Sequence, residues 1–289
     1  MVDDGKGNKS HNIFKNKIVE WSFYMVILFF ISFFAGTKVY QISMTVNASE
    51  VNKNASSAKI SSSDMNKREG KTKTSAVSEI KLTNNEVFNP YKENGKKIAY
   101  LTFDDGPSKN NTPQILSVLE KNKINATFFV IGNLAQENSD LVKKEYADGN
   151  VIGNHTYSHV YNQIYSSTQN FEKEIRENEG ILKSILGDTY KTKLIRFPGG
   201  SFGSKLKPFR DVIVKDGYHY VDWNALDGDA EGTNISPDKL FQRLKQTVGD
   251  QQHVVILMHD TSAKNTTVQV LPQVIEYLRS QGYSFGILK

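Results

Sequence analysis

Cysteine is absent from the 289-residue chain. Disulfides, thiolate metal sites and thiol nucleophiles are thereby excluded. The absence fits a cytosolic protein or an exported bacterial one, and argues against a small disulfide-stapled scaffold. Zinc-finger spacings, basic-region heptads and Lys/Arg-Gly-Phe runs are also missing, so no nucleic-acid partner is expected despite a net charge of +5. A basic balance favours anionic surroundings such as a membrane surface or an acidic cell wall, and does not choose between them.

Charge is missing again between Trp21 and Thr37. With Ile18 and Val19 before it and Val39 and Tyr40 after, the run reaches the roughly 20 residues a spanning helix needs. Trp21, Tyr24 and Tyr40 stand where interfacial aromatics belong, and Lys6, Lys9, Lys15 and Lys17 precede the run, which predicts an inside N-terminus. No Ala-x-Ala site follows, so a transmembrane anchor over residues 18–40 is expected rather than a cleaved signal peptide. Residues 1–17 are then cytoplasmic. Residues 41–92 are rich in Ser, Asn, Lys and Thr and lack an apolar period. They read as a flexible extracellular tether for a catalytic domain, residues 93–289, on the cell-wall side of the cell membrane.

From about Lys96 the texture changes. Short apolar runs predict strands at 98–103, 126–131, 151–154, 193–197, 218–223, 253–258 and 283–288. Helical spacing covers 112–122, 134–147, 171–186, 207–215, 237–248 (with Ser236 as its cap) and 268–280. This alternation predicts parallel strands with helical crossovers. Polar clusters recur at the C-terminal ends of strands: Asp104-Asp105, His155 and His159, Arg196, Asp222, His259. Chemistry delivered to one rim from five strands suits a barrel better than the single crevice of an open sheet. The expected fold is α/β, a distorted (β/α) barrel of about seven parallel strands, preceded by the transmembrane helix and the disordered linker.

Adjacent residues on a strand point to opposite faces. The Gly106-Pro107 turn is therefore expected to bring Asp104 and Asp105 toward one pocket. His155 and His159, spaced i, i+4, share a face if their segment turns helically. With no cysteine available, one carboxylate and two imidazoles form a natural donor set for zinc, and Co²⁺ or Ni²⁺ also fits. Three protein ligands keep a position open for water, the mark of a catalytic site. A spare carboxylate beside them can take the water's proton. His219 and His253 match no motif and are expected to be structural. Asp227 and Asp229 are expected on a solvated turn near the rim.

In chain order the segments are Thr102-Phe103-Asp104-Asp105-Gly106-Pro107, His155-Thr156-Tyr157-Ser158-His159, Arg196-Phe197-Pro198-Gly199-Gly200, Asp222-Trp223 and Leu257-Met258-His259-Asp260. Over roughly residues 96–289 the chain resembles the polysaccharide deacetylases of carbohydrate esterase family 4, the NodB-homology domain, whose five motifs occur in this order. The anchor and tether make it similar to membrane-anchored peptidoglycan N-acetylglucosamine deacetylases of Gram-positive bacteria.

The resemblance implies an enzyme that removes the N-acetyl group from N-acetylglucosamine residues of peptidoglycan and releases acetate. Chitin oligomers, an exopolysaccharide or acetylxylan are the alternative substrates, and a catalytically silent glycan-binding module is the rival from another class. It further implies that Asp105, His155 and His159 bind one divalent metal, foremost Zn²⁺. Asp104 is the general base, paired with Arg196. Gly199 offers a backbone N–H to the oxyanion. His259 protonates the leaving amine and Asp222 tunes His259. Trp223 and Leu257 line a pocket for the acetyl methyl, and the chain acts as a monomer. Many family members carry a bulkier residue where Gly199 stands, which predicts a more open subsite here.

Overall fold

The computed structural model describes residues 89–289. The expected cytoplasmic N-terminus, the anchor and most of the tether lie outside the described residues. Among the described residues no helix is long and apolar enough to cross a membrane. The last residues assigned to the tether belong with the domain: Pro90 is buried, and its carbonyl is bonded by His253 Nδ1 at 3.0 Å. His253 thus serves packing.

The strands are β1 (Ile98–Gly106), β2 (Thr127–Val130), β3 (Val151–Asn154), β4 (Leu194–Ile195), β5 (His219–Tyr220), β6 (Ala225–Leu226), β7 (His253–His259) and β8 (Ser284–Gly286). The helices are α1 (Thr112–Asn122), α2 (Gly132–Glu137), α3 (Ser139–Ala147), α4 (Tyr161–Ile164), α5 (Thr168–Leu186), α6 (Lys207–Lys215), α7 (Pro237–Val248) and α8 (Asn265–Ser280). Every strand pairing is parallel, in the order β5-β4-β3-β2-β1-β7-β6, with β8 against the first residues of β1. β5 and β6 end the series without pairing to each other, so the sheet curls into an incomplete barrel.

The reason for this shape is legible in β1 and β7, which are apolar on both faces. Leu101, Phe103, Ile256 and Met258 face the helix layer with Ile115, Leu271 and Ile275. The alternate residues Tyr100 and Val255 face the concave side with Phe129 and Leu288.

Two predicted elements differ. The helix expected over 134–147 breaks at Asn138, whose ψ of 44° leaves the helical region. The strand expected over 218–223 shortens to β5, and an unpredicted strand, β6, follows at Ala225–Leu226. Ser236 makes no side-chain cap, whereas Ser167 does, accepting from the Asn170 N–H at 3.1 Å.

Candidate active site

The end of β1 carries Asp104 and Asp105. Its pairing with β2 slips between Asp104 and Gly106, and Asp105 takes the left-handed φ of 67°. This bulge, ahead of the Gly106–Pro107 turn, re-aims Asp105 so that both carboxylates reach one pocket.

His155 follows β3. The segment after it does not turn helically, contrary to expectation. Thr156 and His159 adopt φ values of 67° and 57°, and this looped path returns His159 to its partner, with ring centroids 4.9 Å apart. Glu174 on α5 anchors the loop by accepting from the N–H groups of Tyr157 at 3.0 Å and Ser158 at 2.7 Å.

Asp105 Oδ1 lies 3.4 Å from His155 Nε2 and 3.2 Å from His159 Nε2. One donor atom from each of the three residues falls within 4.8 Å of the others. His155 Nδ1 donates to the Arg196 carbonyl at 2.9 Å, which orients the ring with Nε2 facing Asp105. Asp105 Oδ1 is buried and has no hydrogen-bond partner among the described residues. A buried acceptor without a donor is rare. Two imidazoles and a carboxylate around it suit a divalent transition metal. Burial works to raise the Asp105 carboxyl, but the surrounding His155, His259 and His159 hold it well below the usual carboxylate range.

Asp104 is nearly inaccessible. Arg196, fully buried, donates from Nη1 to Asp104 Oδ1 at 2.9 Å and to Thr102 Oγ1 at 2.7 Å. Its Nε and Nη2 donate to the carbonyls of Val221 and Asp222, each at 3.0 Å, and its guanidinium stacks 4.2 Å from the Phe129 ring centroid. A guanidinium held at so many points has one orientation, and it sets that of the Asp104 carboxyl group.

His259 ends β7, level with Asp104 across the β1–β7 ladder. Its Nε2 faces Asp105 Oδ2 at 4.0 Å, and its Nδ1 donates to Asp229 Oδ1 at 2.6 Å. Asp229 Oδ2 accepts from the His259 N–H at 2.8 Å and the Thr267 hydroxyl at 2.9 Å. Burial alone would lower the imidazole pKa. The Asp229 bond and charge outweigh it and raise it to about 9.

Asp222 was expected to tune His259 and does not. It accepts from the N–H and hydroxyl of Ser201, at 2.8 and 2.6 Å, and so closes the turn after Arg196. Asp227 and Asp229 are buried rather than on a solvated turn. The cause is the unpredicted strand: β6 has its own C-terminal end, and that end delivers Asp229 to the rim.

Trp223 packs against the concave cluster, its ring centroid 5.8 Å from the Arg196 guanidinium. Leu257 lies on the face of β7 that carries His259 two residues later. The Gly199 N–H has no partner among the described residues. The space expected to be open at Gly199 is occupied: a Cβ there would lie 2.9 Å from the Tyr161 hydroxyl. Tyr161 also meets the His159 ring edge-on at 5.4 Å.

A family model for polysaccharide deacetylase matches residues 91–221. A peptidoglycan-N-acetylglucosamine deacetylase of Bacillus cereus is 34% identical over 201 residues, spanning 68% of this chain and 71% of that protein. The chain belongs to the polysaccharide deacetylase family. As a member of that family it is a hydrolase acting on N-acetyl amide bonds. A chitin deacetylase of Colletotrichum lindemuthianum is 33% identical over 196 residues, 64% of this chain and 75% of its own. Among solved structures, a CE4 esterase of Streptococcus mutans superposes with a TM-score of 0.63 at 34% identity, covering 68% of this chain and 87% of that one. The polysaccharide deacetylase fold therefore covers the described domain.

Proposed function

We propose that this deacetylase removes acetyl groups from N-acetylglucosamine residues of cell-wall peptidoglycan. The observation that carries the reading is a pair of oppositely prepared groups around one donor set. Asp104 is paired with the Arg196 guanidinium at 2.9 Å, and His259 is held as a cation by Asp229 at 2.6 Å. Hydrolysis of an amide needs such a pair, one group to remove a proton and one to supply it.

Asp105, His155 and His159 would hold a divalent metal, with Zn²⁺ favoured by the N/O donor set. When bound, such an ion supplies Lewis-acid charge that activates water and polarises the acetyl carbonyl. Asp104 takes a proton from the attacking water as the new C–O bond forms. The carbonyl oxygen gains the displaced electron pair, and the Gly199 N–H donates to it. As the C–N bond breaks, His259 gives its proton to the departing nitrogen. Acetate and a glucosamine amine result. Trp223 and Leu257 would line the acetyl methyl, a burial contributing about 1 kcal/mol.

The Bacillus cereus relative supports peptidoglycan as substrate. The uncharged run from Trp21 to Thr37 supports placing the domain at the outer face of the cell membrane. One chain supplies every site residue, which supports a monomer. The chitin deacetylase relative supports a second reading, chitin-type oligomers. Acetate release from purified peptidoglycan strands, compared with chitin oligomers, exopolysaccharide and acetylxylan, tests the substrate. A preference for any of the latter three overturns the peptidoglycan reading. No release from any of them favours a silent binding module. Membrane fractionation tests the location.

A further inference from the structure

Tyr165 follows α4 and touches neither the metal donors nor the acid–base pair. Its ring stacks on Phe171 with centroids 5.6 Å apart and meets Phe209 edge-on at 5.4 Å, so the side chain has a fixed seat. From that seat its hydroxyl donates to the Pro198 carbonyl at 2.8 Å.

That carbonyl belongs to the same peptide unit as the Gly199 N–H. The unit is trans, and in a trans peptide the C=O and N–H point in opposite directions. Holding the carbonyl toward the Phe171 cluster therefore turns the Gly199 N–H away from it. The neighbouring Gly200 N–H closes the turn on the Phe197 carbonyl at 2.8 Å, while the Gly199 N–H has no acceptor among the described residues.

Local sterics do not fix this plane. Gly199 has a φ of +76°, and glycine tolerates both signs of φ, so the 198–199 peptide could rotate at small cost. Among the described residues no other hydrogen bond engages either end of that unit. The Tyr165 hydroxyl is thus its one hydrogen-bonded restraint among the described residues.

We propose that Tyr165 is a positioning residue for the reaction: its hydroxyl sets the direction of the Gly199 N–H that receives the charge developing on the acetyl oxygen. The proposal rests on the amidase reading of the site. Burial pushes the Tyr165 hydroxyl well above its ordinary pKa, so it stays protonated and remains a donor.

The test is Tyr165→Phe in the full chain, which removes the hydroxyl and keeps the ring. Loss of a whole oxyanion donor costs about 10²–10³ in kcat. A misdirected one is expected to lower kcat about tenfold, with KM within about twofold, because the contact matters only as charge develops. Proline labelled at its carbonyl carbon and ¹⁵N-glycine give a second readout. The sequence contains a single Pro-Gly step, so one amide, that of Gly199, is selected. Acetate, a carboxylate of the product's size, should shift that amide proton in the wild type, and the response should fall in Tyr165→Phe. An unchanged kcat overturns the proposal, as does a joint change of kcat and KM that tracks a lowered Tm. So does a Gly199 amide whose position and acetate response are the same in both proteins. If the wild type releases no acetate from any glycan, the amidase reading fails. The Gly199 amide position in Tyr165→Phe still decides whether the hydroxyl orients that peptide.

Discussion

Asp229 Oδ1 lies 2.6 Å from His259 Nδ1, and this contact gives the imidazole its charge on the side of the pocket opposite Arg196. A general acid works only while protonated. With a pKa of about 9, activity is present at neutral pH and lost as pH rises through about 9.

Asp229→Asn removes the charge but keeps the shape. The alkaline limb of kcat should move down toward the ordinary imidazole value of about 6.5, with kcat at pH 8 lowered at least about tenfold. Asp222→Asn, which disturbs only the Ser201 turn, should leave that limb near 9. A pH–rate series on both variants checks this. Equal displacement by the two would return the tuning role to Asp222.

The buried ion pair makes a stability prediction. Arg196→Met strands the Asp104 carboxylate in the interior and should cost about 3 kcal/mol or more. Adding Asp104→Asn to that variant should recover part of the loss, because no buried charge is then left unpaired. Denaturant midpoints of the two single variants and the double variant give the coupling. Additive losses would show that the pair is not coupled.

Asp104→Asn alone should retain metal and lose about 10²–10⁴ in kcat, the span typical of a general base. Metal content by elemental analysis, beside acetate release, separates this from a binding defect. His159→Ala should behave in reverse: metal content falls, and the rise in Tm that added metal gives the wild type is lost.

On α5, far from the pocket, Glu179 accepts from Lys183 at 2.5 Å, from Lys193 at 2.8 Å and from the Tyr218 hydroxyl. Burial works to raise its carboxyl, but these three partners lower it from the ordinary 4.5 to about 2. A depressed folded-state pKa contributes stability above the unfolded value and loses it as pH falls. The stability gap between wild type and Glu179→Gln should therefore be full at neutral pH and shrink from about pH 4.5 down to about pH 2. Urea melts across that range read it directly. A gap that does not change with pH would mean that charge contributes nothing there.

Much of this was legible in the chain. The short, continuous apolar runs of β1 and β7 read as buried strands, and the polar residues at their C-terminal ends mark the rim. Asp104, Asp105, His155, His159, Arg196 and His259 meet there. What escaped was set by backbone geometry with no periodic signal. The left-handed φ values at Asp105, Thr156 and His159 belong to residues that seldom adopt them. Only Val221-Asp222-Trp223-Asn224 separates β5 from the two-residue β6, too short a strand to show in the pattern, so Asp222 reads as the strand end and Asp229 as a turn. Tyr161 fills the space at Gly199 from a four-residue helix, α4, too short to announce itself. The acidic pair flanking Gly228, one more carboxylate set after a short apolar run, was the available signal for Asp229.

The most direct test is acetate release from peptidoglycan glycan strands by the purified protein, with bound metal counted before and after chelation. The expected result is one divalent ion per chain, acetate released, activity lost with the ion and restored with it, and neither metal nor acetate from a His155→Ala, His159→Ala double variant. Full activity in the chelated protein or in that double variant would contradict the assignment of Asp105, His155 and His159.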